Sequence, residues 1–210
     1  AIGSEDVLDF HLLEPILTRH EDSLMVLAAP GTPDARDRIT PTLVARTLRV
    51  LAENFDFVVI DTAPAFDELT LTALDEVDEC VMVATLDVPT LKNVKVALET
   101  MDALGIAQGH RHLLLNRADD EVGIGAEKVE AILGLRIAAQ VVTSVEIAAA
   151  TNAGRPIVAA KPDHASSSQF QQLASRLSGT PTAPTPVSTM KATTPQNPRE
   201  ERGGFFRRRR

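Results

Sequence analysis

The stretch Phe55-Asp56-Phe57-Val58-Val59-Ile60-Asp61-Thr62-Ala63-Pro64 decides the reading of this chain. Residues 57–60 are apolar without a break, which suits a strand buried on both faces of a parallel sheet. The run ends on an acid, and Pro64 marks a turn directly after it. Open α/β sheets bind ligands beyond the carboxyl ends of their strands, so Asp61 stands where a ligand-facing carboxylate would. The same residue would also serve as a plain cap for the following turn.

Outward from this run, strand-like and helix-like segments alternate. Ser4 caps a predicted helix through about Arg19, with Leu8, Leu12, Leu13, Ile16 and Leu17 on its apolar face together with Val7. Residues 23–29 read as a buried strand, broken by Pro30-Gly31. Thr40-Pro41 opens the next helix as N-cap and first residue, and Leu43, Val44, Thr47, Leu48 and Leu51 mark its inner face. After the Asp61 run, residues 69–77 are helical and 80–85 form an apolar strand. Pro89 begins a helix to Leu104, stopped by Gly105. Residues 112–116 form a strand, 126–133 a helix ended by Gly134, and 137–142 a weaker strand. A short helix follows over 145–152, stopped around Gly154, and the last helix covers 167–177. The expected fold class is α/β, a mostly parallel sheet with helices on both faces.

The 210 residues suffice for one sizeable core. The single Cys80 lies inside an apolar run, so burial is expected there, with no internal disulfide, and a reducing cytoplasm fits. Tyr and Trp are absent, which argues against aromatic stacking platforms for single-stranded nucleic acid. The five histidines are scattered, without metal-ligand spacing. No Gly-x-Ser-x-Gly elbow occurs. Asp87, ahead of Pro89, fits a helix-start acid better than a cleft residue.

Residues 1–178 are expected to form one folded unit and 179–210 a disordered tail. Pro181, Pro184, Pro186, Pro195 and Pro198 alternate there with Thr, Ser and Ala, too little apolar surface to offset the entropy of ordering. From Val187 onward the net charge is +5, which leaves −13 on residues 1–186. An acidic body and a basic end imply different partners. Phe205-Phe206 followed by Arg207 to Arg210 suits an anionic membrane surface; a merely solubilising end is the plainer reading.

Taken together these segments resemble the MinD/ParA superfamily of P-loop ATPases, and most closely its CpaE/TadZ branch of Flp/Tad pilus-assembly ATPases. The resemblance covers roughly residues 10–178. It rests on Leu27-Ala28-Ala29-Pro30 followed by Ile39-Thr40-Pro41, and on Val58-Val59-Ile60-Asp61-Thr62-Ala63-Pro64 with Asp67-Glu68-Leu69-Thr70-Leu71, which is similar to a Walker B and switch II region. Leu113-Leu114-Leu115-Asn116-Arg117 and Ala150-Thr151-Asn152-Ala153-Gly154-Arg155-Pro156-Ile157 complete it.

The resemblance implies ATP and Mg²⁺ as cofactors, with Asp61 as the catalytic carboxylate that orients the metal through water. It makes Thr62, Ala63 and Pro64 the start of the switch that senses the γ-phosphate, with Asp67 in the same switch. It sets Asn116 against the adenine edge and Arg117 beside the base, with residues 142–146, beginning at Val142, on the other side. It further implies a nucleotide-dependent homodimer, a role with pilus or secretion machinery, and a cytoplasmic location with peripheral contact at the inner face of the plasma membrane.

Two departures limit it. No Gly-x-x-x-x-Gly-Lys followed by Ser or Thr occurs anywhere, so the lysines that would hold the phosphates are missing and the chain as given is expected to be inactive. The chain opens at Ala1, midway into such a fold. Either it is the carboxyl-terminal part of a longer ATPase, or it is a truncated, non-hydrolysing relative. The first is favoured, because a sheet without its first strand would expose an unpaired edge. The second departure is Val141-Val142-Thr143-Ser144, which stands where the family usually has Ile-Pro and would leave the base pocket loose. A non-catalytic scaffold or polar landmark of the same fold, and a ParA-like DNA-partitioning ATPase, are the alternatives. The acidic body weighs against DNA.

Overall fold

The computed structural model describes residues 8–20, 23–119 and 124–179. Ser4, Val7 and the whole tail from residue 180, including Phe205 to Arg210, lie outside the described residues.

The centre is a three-stranded parallel sheet of β3 (Cys80–Ala84), β4 (Arg111–Asn116) and β5 (Ile137–Val141), in that order. Helix α5 (Val88–Leu104) joins β3 to β4, and α6 (Ala126–Leu133) joins β4 to β5. These bounds follow the sequence signals closely. Asp87 caps α5 through the Thr90 amide, and Gly105 ends it with φ +73°. Gly134, at φ +66°, ends α6. Both turns need the left-handed backbone that glycine adopts without a Cβ clash.

Successive side chains of β4 point to opposite faces, and both faces are covered. Leu113 and Leu115 join Leu91, Val94 and Leu98 of α5 and Val129 of α6 in one core. Leu114 joins Ala139, Val141 and Leu173 in the other, where α9 (Ala165–Leu177) packs on β5. Between these lie α7 (Val145–Asn152) and α8 (Ile157–Ala160), the latter unannounced in the sequence. Buried Ser167 secures it by donating to the carbonyls of Ile157 and Lys161.

The sheet's two edges differ. On β5, the outward amide of Gln140 donates to the Gln169 side chain of α9 (3.1 Å). On β3, no further strand pairs among the described residues, and Val83 remains 58% exposed.

The amino-terminal part corrects three expectations. The first helix does not run to Arg19: α1 (Phe10–Leu13) gives way to a 3-10 turn at Glu14–Ile16, because Pro15 supplies no amide for a continuing helix. Residues 18–20 form β1 (Thr18–His20), antiparallel to β2 (Leu24–Val26). The buried strand expected over 23–29 is thus a three-residue hairpin arm with Leu24 and Val26 exposed, since its one partner among the described residues is equally short. A short α2 (Pro33–Arg36) follows, also unannounced. Helix α3 (Pro41–Asn54) starts as expected, with Thr40 accepting the Leu43 amide (3.1 Å), but only Leu51 of its inner face is fully buried. Arg49 grips Glu76, at the end of α4 (Glu68–Asp75), with two hydrogen bonds.

The third correction concerns the deciding run itself. Residues 57–60 are not a strand among the described residues. Phe57 and Val59 are 68% and 94% exposed, while Val58 and Ile60 are half-buried. A strand apolar on both faces needs a hydrogen-bonded neighbour and two covering layers. The described residues offer this run no neighbouring strand.

Candidate functional site

The carboxyl ends of β3, β4 and β5 lie side by side because the strands are parallel, Ala84 opposite Leu115 and Asn116 opposite Val141 beyond a register shift at Leu113–Leu114. Each is followed by a polar turn. After β3, the Asp87 carboxylate accepts the Thr90 amide (2.8 Å) and the Thr85 hydroxyl. These bonds, the Thr85 hydroxyl foremost, hold its pKa below the usual carboxylate value. Asp87 is therefore a helix cap, as its position ahead of Pro89 suggested.

After β4, the chain turns sharply at Arg117, which takes φ +52°. A left-handed conformation is uncommon for a residue with a side chain. Hydrogen bonds brace it on either side. The Asn116 Oδ1 accepts the Arg117 amide (3.0 Å), and the buried Ala118 donates its amide to the Val141 carbonyl at the end of β5 (3.0 Å). One residue further, Asp119 accepts both the amide (2.9 Å) and the hydroxyl (2.5 Å) of Thr143. The outcome is an exposed Arg117 and a half-buried Asn116 whose Nδ2 group makes no hydrogen bond among the described residues.

After β5, Val142 is 44% exposed. Ser144 caps α7 by accepting the amides of Glu146 (3.1 Å) and Ile147 (3.4 Å), and its hydroxyl donates to Glu146 Oε2. That bond, ahead of the Lys161 charge, lowers the Glu146 pKa. His164 accepts the Ser166 amide at Nδ1, which leaves its proton on Nε2, 3.3 Å from the Ser144 hydroxyl. It is a donor to that hydroxyl and not a base for it.

The structure thus brings Asn116, Arg117 and Val142 to one edge. Asp61, Thr62, Ala63 and Pro64 stand on the exposed segment before α4, and none of them bonds to that edge among the described residues. The Asp61 carboxylate makes no hydrogen bond or ion pair there. Asp67 caps α4 through the Thr70 amide (2.8 Å), and this bond holds its pKa below the usual value. No group of three or more His, Cys, Asp or Glu is arranged to hold a metal ion among the described residues. Asp119, which the sequence did not single out, joins Thr143 of the expected 142–146 segment at this candidate edge; nothing in a chain read linearly pairs positions 24 apart.

No protein-family model matches the chain. In sequence it is 25% identical over 174 residues to the septum site-determining protein MinD of Helicobacter pylori (strain ATCC 700392 / 26695), covering 78% of this chain and 64% of that protein. It is 28% identical over 127 residues to the chloroplastic minD homolog of Arabidopsis thaliana, covering 58% of this chain and 38% of that protein. The chain therefore spans less than two thirds of the length of either relative. In structure it superposes on a ParA family ATPase from Chlorobium tepidum TLS with a TM-score of 0.73 at 21% identity, over 79% of this chain and 70% of the other. The fold is that of the MinD/ParA ATPases. The septum site-determining protein MinD of Pyrococcus horikoshii OT3, solved as a complex with Mg-ADP, gives a TM-score of 0.69 at 18% identity, over 82% and 74% of the two chains. The MinD/ParA fold is thus recovered over most of this chain, in agreement with the parallel sheet and its two helical layers. No helix among the described residues is long and apolar enough to cross a membrane.

Proposed function

We propose that this chain supplies the base-binding and magnesium-side parts of a MinD/ParA-type ATPase of the CpaE/TadZ kind, which binds ATP and Mg²⁺ and helps localise or assemble a pilus or secretion machine. The observation that carries the nucleotide reading is the braced left-handed turn at Arg117, which leaves the Asn116 amide group and the Arg117 side chain at the carboxyl edge of the sheet. Unfavourable backbone held in place by several bonds is found preferentially at binding and catalytic sites.

The residues present fit the base end of an adenine nucleotide. Asn116 offers two N–H donors to ring nitrogens, Val142 an apolar surface for a ring face, and Arg117 a planar cation for stacking. Asp61 is one unengaged carboxylate, sufficient for a magnesium ion that keeps several waters and takes its other ligands from phosphate. Such an ion, when bound, neutralises the charge that shifts during phosphoryl transfer. Thr62, Ala63, Pro64 and Asp67 follow as the segment that would respond to the γ-phosphate. No Gly-x-x-x-x-Gly-Lys followed by Ser or Thr, the usual phosphate cradle, occurs in residues 1–210. We assign that part to a Gly-rich, Lys-bearing loop outside them, on a further parallel strand along the open edge of β3. That strand would also give residues 57–60 a sheet to join.

The pilus or secretion assignment rests on the sequence resemblance, as do nucleotide-dependent homodimerisation and a peripheral membrane contact through Phe205 to Arg210. The test uses the native full-length protein. ATP hydrolysis is expected with Mg²⁺ and is expected to fall by roughly 10²-fold or more in Asp61→Ala. A native protein that binds no ATP overturns this reading. The absence of a Gly-Lys phosphate loop from this chain favours one second reading, a non-catalytic scaffold of the same fold. In that case Asp61→Ala leaves its cellular localisation unchanged.

A further inference from the structure

We infer that Asp119 and Thr143 form a positioning clamp that sets the base-binding edge and the preference for adenine over guanine. The inference rests on the nucleotide reading above.

Among the described residues, the clamp is the side-chain link between the tips of the two turns. Asn116 and Arg117 sit at the end of β4, Val142 and Ser144 at the end of β5. The strands are tied by the Ala118 amide to the Val141 carbonyl, and beyond that point the two turns are free to splay. Asp119 closes them. Its two carboxylate oxygens take separate groups of one residue, the amide and the hydroxyl of Thr143. Two hydrogen bonds to one residue fix direction as well as distance. The turn at Arg117 is thereby held in a conformation that a non-glycine residue leaves when unrestrained. A proline before this loop would restrict it through its fixed φ. Here Val142-Thr143 stands instead, and the side-chain clamp does the restraining.

The clamp also decides which base the edge suits. A free carboxylate three residues beyond Asn116 would offer two acceptors, and the guanine edge presents N1–H and N2–H₂ donors to such a pair. Each Asp119 oxygen already accepts from Thr143, which turns the carboxylate toward that residue, while the Asn116 Nδ2 group is unpartnered among the described residues and suits the ring-nitrogen acceptors of adenine.

The test measures binding of ADP, GDP and inorganic tripolyphosphate to the native full-length protein and to three variants. Asp119→Ala is expected to weaken ADP about tenfold, as befits two lost hydrogen bonds at a positioning site, with tripolyphosphate unchanged. The ADP-over-GDP preference shrinks accordingly. Asp119→Asn is expected to stay within about twofold of the parent, because an amide can accept the Thr143 amide and donate to its hydroxyl. Thr143→Val removes the hydroxyl alone, keeps the branched shape, and is expected to lower the preference by a smaller factor. It keeps the question answerable if Asp119→Ala fails to fold. An unchanged preference in both Asp119→Ala and Thr143→Val overturns the clamp while leaving the nucleotide reading intact. A parent protein that binds tripolyphosphate but does not prefer ADP to GDP overturns the base-edge reading and the clamp with it. Equal weakening of all three ligands shows a general structural role and overturns the specificity claim.

Discussion

Leu113 and Leu114 are consecutive residues of β4 that belong to different cores: Leu113 meets α5 and α6 on one face, and Leu114 meets Leu173 of α9 on the other. This central strand therefore ties both helical layers to the sheet with two adjacent buried leucines.

Leu113→Ala removes a side chain with no exposed surface and is expected to destabilise the fold by about 2–5 kcal/mol, read as a lower urea midpoint. Val59→Ala, at a position 94% exposed, is expected to change it by less than about 0.5 kcal/mol. Comparable losses at the two sites would contradict the burial described.

Acid is expected to act through helix caps. The carboxyl groups of Asp67 and Asp87 sit below their ordinary values, Asp67 because of the Thr70 amide, Asp87 because of the Thr85 hydroxyl and then Thr90. A depressed folded value means the contribution is complete above the unfolded pKa and is lost as pH falls through the folded one. The melting temperature should then decline from about pH 4 downward. Asp87→Asn should flatten that decline; an unchanged slope would show that the cap does not titrate with folding.

Cys80 is buried, and burial raises its thiol pKa. Thiol-specific reagents at neutral pH are expected to react with it slowly in the native protein and at once in denaturant. Equal rates in both states would place the thiol at the surface.

Arg117→Gly should separate stability from binding. Glycine takes φ +52° without a Cβ clash, so the variant is expected to melt at the same temperature or slightly above. Adenine nucleotide binding by the full-length protein should weaken through loss of the guanidinium. A large drop in melting temperature would mean that the side chain, not the backbone, holds the turn.

The span from β3 to α7 was legible because its boundaries carry their own local chemistry, Asp87 with Pro89, Gly105, Gly134 and Ser144, whereas α8 carried no such signal. The Asp61 run was legible as composition but not as conformation. Whether 57–60 becomes a strand depends on a partner, and no partner is written in the run itself. Pro15 was a local signal outweighed by the apolar spacing around it. Asn116 and Arg117 could be picked out by motif, whereas the conformation of Arg117 depends on Val141 and Thr143, more than twenty residues away. The first element lost its length to a proline, and the site gained its rigidity from a contact that only folding creates.

The unequal edges of the sheet give it a direction of growth. At β5 the Gln169 side chain occupies the outward amide of Gln140. At β3 no strand among the described residues pairs with the outer row of backbone groups, and Val83 is 58% exposed. Any strand added to this sheet, whether from the same molecule or from a neighbour, has one side to join. Two β3 edges facing each other would satisfy one another's open backbone rows, so the chain crowded in solution without such a strand is expected to form edge-to-edge pairs through β3.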